Sequence, residues 1–225
     1  MIRPRPWIDA LARHAHSARE RPDPEHVHQL RVAAGRLVVW LRLARRRALR
    51  DDLRWLRRGA ARVRDLDVLL AQHGAETWSA ALVGERREAA AALHTELASA
   101  RLDGLLQALE YLPALDEARA RKRLSKLRAK ADDAAAQAFS LDPPRSADLH
   151  TLRKRVRGVR YALEWMGQPS SPEQALQDEL GRLRDAEAAR LRARSAGAAL
   201  GEDAAPESGH ARKLWRAITK EGRSS

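Results

Sequence analysis

Residues 28–40 read HQLRVAAGRLVVW, and residues 150–162 read HTLRKRVRGVRYA. Each stretch opens on a His, places an Arg three residues later and reaches an aromatic, Trp40 or Tyr161, after a mixture of Arg, Gly and aliphatic residues. The two lie 122 residues apart in a chain of 225. A second pair follows in the same order. LRRGAARVRDLDV at 56–68 and LQDELGRLRDAEA at 176–188 carry Arg64-Asp65 and Arg184-Asp185, which are 120 residues apart. Two matches at nearly one offset mark an internal duplication of roughly 110–120 residues.

Periodicity around these stretches is helical almost everywhere. Val and Ile are scarce, strict alternation is rare, and Leu and Ala recur at helical spacing, so the fold class is all-α. Pro, Gly and Ser mark the breaks. The expected helices run from Trp7 to Glu20, from Asp23-Pro24 to about Arg47, and from Asp51 or Asp52 to His73-Gly74. A long fourth helix runs from Thr77 or Ser79 toward Leu112-Pro113. The second half repeats the plan: Ala114 to Ser140, a helix capped by Ser146 and reaching Gly167, one from Ser171-Pro172 to about Gly197, and one from Pro206 to Lys220. Eight helices in two sets of four suggest two four-helix bundles, residues 1–112 and 113–225.

The repeated helix has two faces. With His150 at zero, Arg153, Lys154, Arg157 and Arg160 fall at about 300°, 40°, 340° and 280°, whereas Leu152, Val156, Val159 and Leu163 fall at about 180–240°. Glu164 shares the basic side and can orient one of its Arg residues. In the first copy Arg31, Arg42 and Arg46 group with His28, and Leu30, Leu37 and Leu41 form the apolar stripe. Residues 28–50 hold seven Arg and no acid, so the helix gains no ion pairs along its own surface. One basic helix alone is ordinarily a solvated face. Two copies, each led by a His and with few balancing acids, point to a shared polyanion-binding surface.

Composition agrees. The formal net charge is +13, and 37 of the 43 basic residues are Arg, whose planar fork suits phosphate oxygens. Genomic base composition also enriches Arg and Ala, which accounts for part of the excess. There is no Cys, which excludes disulfides and thiolate metal sites. The opening MIRPRPW lacks an apolar core of the secretory type, and no run approaches the ~20 apolar residues of a membrane span. A soluble cytoplasmic protein is expected.

Other chemistry finds little support. His14-Ala-His16 and His26-Val-His28 point their rings about 200° apart on a helix, so neither pair chelates well. Asp65 with Asp67, or Asp185 with Glu187, are separated in the same way, and Asp65 and Asp185 each follow an Arg that they can orient. The chain has no phosphate-binding P-loop, no G-x-S-x-G and no E-x-E-x-K, and no carboxylate cluster suited to Mg²⁺. We therefore expect no enzyme, no cofactor and no metal. Nucleic acid is the alternative partner for such a charge. With aromatics at 4% of residues, the base-stacking equipment of single-strand binders is thin.

Taken in order, His28-Gln-Leu-Arg31-Val-Ala, Val63-Arg64-Asp65-Leu-Asp67-Val, His150-Thr-Leu-Arg153-Lys154 and Arg160-Tyr161-Ala-Leu-Glu164 resemble the CHAD (conserved histidine α-helical domain) family, from about residue 7 to 220. The resemblance implies two bundles related by a pseudo-twofold axis with a basic groove or channel between them. It also implies binding of inorganic polyphosphate, and polyphosphate granules as the place such a module would be targeted. Its implied contacts are His28, Arg31, Arg36, His150, Arg153, Lys154, Arg157 and Arg160, with Arg64 and Arg184 in a second rank and Arg101 from Ser99-Ala-Arg101; the helical wheel adds Arg42 and Arg46. Gly35, Val38 and Gly158 depart from the family's pattern. They either admit a close neighbour or weaken the site.

Overall fold

The computed structural model describes residues 2–73, 79–141, 144–195 and 208–221. Nine helices run through them: α1 (Arg5–Glu20), α2 (Pro24–Leu43), α3 (Arg50–His73), α4 (Ser79–Leu97), α5 (Ala100–Glu110), α6 (Glu117–Ala138), α7 (Ser146–Trp165), α8 (Ser171–Ser195) and α9 (Gly209–Glu221). Among the described residues the only extended pairing is one antiparallel bridge between Ile2 and Leu115, closed by two backbone hydrogen bonds of 3.0 and 2.8 Å. No helix among these residues is long and apolar enough to cross a membrane.

Local chemistry explains the boundaries. At the start of α2, Asp23 accepts from the His26 amide at 2.9 Å and Pro24 takes the first helical position, where a missing N–H costs nothing. The expected run to Arg47 stops at Leu43. Arg46 N–H reaches back to the Leu41 carbonyl, Arg45 N–H to the Arg42 carbonyl, and Arg45 sits at φ 57°. This is a Schellman ending with an Arg at the left-handed position where Gly is usual.

The long fourth helix is in fact two. Ser99 breaks it, its hydroxyl accepting from the Leu102 amide and donating to the Glu96 carbonyl at 2.6 Å. A serine can leave the helical register because its side chain supplies the capping bond. Helix α6 starts at Glu117, not at Ala114, because the Asp116 carboxylate accepts from the Arg119 amide at 2.9 Å. Ser146 is the first residue of α7, with Arg145 before it and no side-chain cap. The boundaries expected at Gly74, Thr77, Gly197 and Pro206 lie outside the described residues.

The chain divides into two compact units, residues 1–119 and 120–225, a few residues beyond the expected Leu112-Pro113 boundary. In the first, α1 packs on α2, α2 on α3, α3 on α4 and α4 back on α1, and α5 touches α1, α3 and α4. Its core includes Leu11, Leu30, Leu37, Leu41, Leu56 and Leu93, all essentially without solvent contact. In the second, α7 packs on α8 and α8 on α9. Leu152, Val156, Leu176 and Leu180 from α7 and α8 meet Ala135 and Ala138 of α6 and Ala211 of α9 in one core. The stripes expected on the two His-led helices are therefore the surfaces that bury them. Full burial of a Leu side chain is worth about 1.5–3 kcal/mol, so these stripes fix which faces remain outward.

Candidate functional site

In the first unit the outward side of α2 meets that of α3. His28 is exposed, yet part of its hydration is lost, and this pushes its pKa below the ordinary value. The Arg64 guanidinium on α3 depresses it further, Glu25 opposes the shift, and Arg31 adds to it. Arg31 in turn lies 3.7 Å from the Asp65 carboxylate. The two sequence motifs of this half thus converge on one spot: His28 and Arg31 from α2, Arg64 and Asp65 from α3.

The second unit builds the same arrangement from α7 and α8. Burial again lowers the His150 pKa most, followed by Lys154, Arg184, Arg153 and Arg157. Arg153 lies flat across α8, its guanidinium 3.6 Å from where a Cβ on Gly181 would sit, so the small residue there leaves room for it. Lys154 and Arg184 are exposed, and Arg153 and Arg157 are half-buried.

Each imidazole is consequently held neutral at neutral pH inside a field of fixed positive charge. Such a group takes up a proton when an anion arrives, because the anion cancels the field that kept it deprotonated. The guanidinium groups supply paired N–H donors to phosphate oxygens.

The other expected contacts fall elsewhere. Arg160 is 7% exposed; its Nε lies 3.2 Å from Glu164, its Nη1 donates to Gln174, and it stacks on Tyr161. The wheel put it at the edge of the basic face, but the α7–α8 contact covers that edge. Arg36 lies 4.2 Å above the Trp7 ring of α1, and Arg101 lies 4.4 Å above Trp55 with a 2.8 Å ion pair to Asp52. Trp55 and Arg64 are nine residues apart on α3, about 14 Å along the axis, so Arg101 serves the far end of that helix. Arg42 is half-buried in the last turn of α2. Arg46 is exposed in the turn after it, so its helical-wheel position does not apply.

Two acids also separate. Asp65 faces Arg31, whereas the nearly buried Asp67 is held by Arg86 of α4 at 3.0 Å, and Arg86 also donates to the Pro22 carbonyl. Asp67 is a structural tie. His14 and His26 come together across α1 and α2 with ring centroids 6.2 Å apart, a proximity that spacing along one helix does not reveal. No group of three or more His, Asp or Glu residues suited to a metal ion occurs among the described residues. Sequence reading also passed over Arg50, Arg54 and Arg57, which continue the row of Arg64 along α3 at intervals of four, three and seven. Its signal in the sequence is a helical stripe of Arg at those intervals.

The described residues thus form a helical protein with a His set among cations on each of two units. The CHAD domain family model matches residues 5–194, and the chain belongs to that family. Among solved structures, the CHAD domain from the plant Ricinus communis is similar, with 24% identity, 97% of this chain and 83% of that chain covered, and a TM-score of 0.67. PptA from Streptomyces chartreusis is similar at 20% identity, with 97% and 94% covered and a TM-score of 0.57. No curated protein matches the chain.

Proposed function

We propose that this protein binds inorganic polyphosphate through its His28 and His150 clusters, without catalysing a reaction on it. The observation that carries the reading is the recurrence, in each unit, of a neutral His surrounded by Arg from two helices. Membership of the CHAD family supports the ligand. A linear phosphate chain asks only for dense charge and donors along a path, and the clusters offer both without base-stacking aromatics. Each cluster holds a stretch of phosphate chain, and such a module would ride on polyphosphate granules.

Competition at about 0.15 M salt tests this, since screening at that strength weakens diffuse attraction. Labelled long-chain polyphosphate is displaced by unlabelled polyphosphate, single-stranded DNA or RNA at equal phosphate concentration. Displacement at least tenfold more effective by polyphosphate is the expected result. Equal displacement by all three would make the surface a generic polyanion binder and favour nucleic acid as a partner.

A further inference from the structure

The densest run of unbalanced charge is on neither His-led helix. Residues 117–130 on α6 read EARARKRLSKLRAK, with seven cations and one acid. Ala120, Leu124, Ala131, Ala135 and Ala138 are buried and form the inward stripe. With Lys122 at zero, Lys126 and Lys130 fall at about 40° and 80°, Arg119 at 60° and Arg123 at 100°, all on the side away from that stripe. Lys122, Lys126 and Lys130 form a single row, about 6 Å apart along the axis, and all three are exposed.

Three further observations set the row apart. The chain has six Lys among 43 basic residues, and half of them stand here in one line. A bias toward Arg throughout the sequence does not produce a lysine row. None of Arg119, Lys122, Arg123, Lys126 or Lys130 makes a side-chain ion pair or hydrogen bond among the described residues, and only Asp133, exposed, continues the row at its carboxyl end. Like charges at i,i+4 repel, so the free helix carries an unrelieved cost that a bound anion would remove. Finally, the charges acting on His150 come from α7 and α8 alone, so the row is no part of that cluster.

We propose that the amino-terminal half of α6 is a second contact for polyphosphate, a lysine row that holds a long chain by charge at a place separate from the His clusters. The ligand rests on the function proposed above; the site does not. Ammonium groups are compact point charges on flexible stems, so this contact grips without fixing geometry. It adds affinity for long chains by keeping a second segment of the same molecule close.

The distribution of lysines makes the test direct. Lys154 reports the His150 cluster, Lys122, Lys126 and Lys130 report the row, and Lys213 and Lys220 on α9 serve as references. The whole protein is acetylated briefly with an amine-selective reagent, with and without long-chain polyphosphate at about 0.15 M salt, and each site is read by mass spectrometry. Protection of the three row lysines severalfold beyond Lys213 and Lys220 supports the proposal. If Lys154 is protected while the row labels at the reference rate, the row is a solvated face and the function stands. If the row is protected and Lys154 is not, the row stands and the cluster reading falls. Equal protection of all six, or none, overturns the row. A Lys122→Gln, Lys126→Gln, Lys130→Gln variant keeps the helix and should lose severalfold in affinity for long chains. The matching triple Arg variant should retain it, and equal affinity in the two would also sink the idea.

Discussion

The two His-led helices carry the same core and spend their charge differently. Position by position, Leu30, Leu37 and Leu41 of α2 match Leu152, Val159 and Leu163 of α7, and all are buried. Outside the core the copies diverge. Val32 and Gly35 in the first stand where Lys154 and Arg157 stand in the second. On the partner helices the bias reverses: Arg54 and Arg57 of α3 stand where α8 has Gln174 and Gln177. Glu25 and Asp65 oppose the first cluster. The packing surfaces agree because packing is unforgiving, whereas the charges differ between helices, since a long anion would respond to the summed field of a surface. Four cations act on His150, whereas two act on His28 with Glu25 against them.

The comparison breaks most openly under paired substitutions. Arg153→Ala with Arg157→Ala should weaken polyphosphate binding on the order of 10- to 100-fold, two charge-assisted contacts being worth roughly 1.5–3 kcal/mol each before compensation. It should also flatten the salt dependence by roughly 1.4 in log–log slope, about 0.7 per lost phosphate contact. Arg31→Ala with Arg64→Ala should cost only severalfold, because Asp65 already draws on Arg31. Titrations at several salt concentrations, with helicity checked by circular dichroism, decide it. Equal losses would erase the distinction between the copies.

Arg160 gives the next largest effect, on stability. Its counterpart in the first copy is Val38, itself 4% exposed, so the position belongs to the core in both units. An Arg tolerated there must be paired, and Glu164 and Gln174 pair it. Truncation to Ala should destabilise the protein by about 2–3 kcal/mol, since it leaves Glu164 and Gln174 without their partner. Affinity measured on the folded protein should be unchanged. A loss of affinity at constant unfolding midpoint would return Arg160 to the binding surface.

Acidity sharpens the comparison more gently. In the free protein both His pKa values lie below the ordinary one, and bound phosphate raises them. The bound state therefore holds more protons, so affinity should rise as pH falls through the bound-state pKa and level off below the free value. Stability of the free protein runs the other way. A depressed His contributes stability above the unfolded pKa near 6.5 and loses it as pH falls toward the folded value. Binding isotherms at several pH values should show the slope shrink in His150→Asn more than in His28→Asn, whose neighbour Glu25 already favours the proton. A flat profile in the parent protein would remove both imidazoles from the contact.

Much of this was legible in the sequence, for definite reasons. The buried stripes of α2 and α7 follow from helical period alone, and the Asp23-Pro24 start follows from capping chemistry. The meeting of His28 with Arg64, and of His150 with Arg184, was foreshadowed by the constant offset between the two motifs. What period could not give was the partner of each outward residue. Arg36, Arg101 and Arg160 read as surface cations until Trp7, Trp55 and Gln174 come up beside them from other helices. The break at Ser99 and the stop after Leu43 escaped for another reason: both interrupt runs with good helix propensity, and only specific capping bonds end them.

The smallest expected effect lies at Gly158, whose counterpart in the first copy is Arg36. There the Arg side chain lies over Trp7 of α1, so the position is filled. In the second copy Gly158 is buried, and a Cβ built on it meets nothing within 4 Å among the described residues. Its φ is not in the left-handed region, so the backbone does not require glycine either. Gly158→Ala should then stabilise the protein by about 0.5–1 kcal/mol, by restricting the unfolded chain and improving helix propensity. The unfolding midpoint should rise a few degrees, with polyphosphate affinity unchanged. A lower midpoint would mean that a neighbour does occupy that space. A midpoint that rises while affinity falls would place the ligand itself against Gly158, and the glycine would then mark the point of closest approach in the stronger of the two copies.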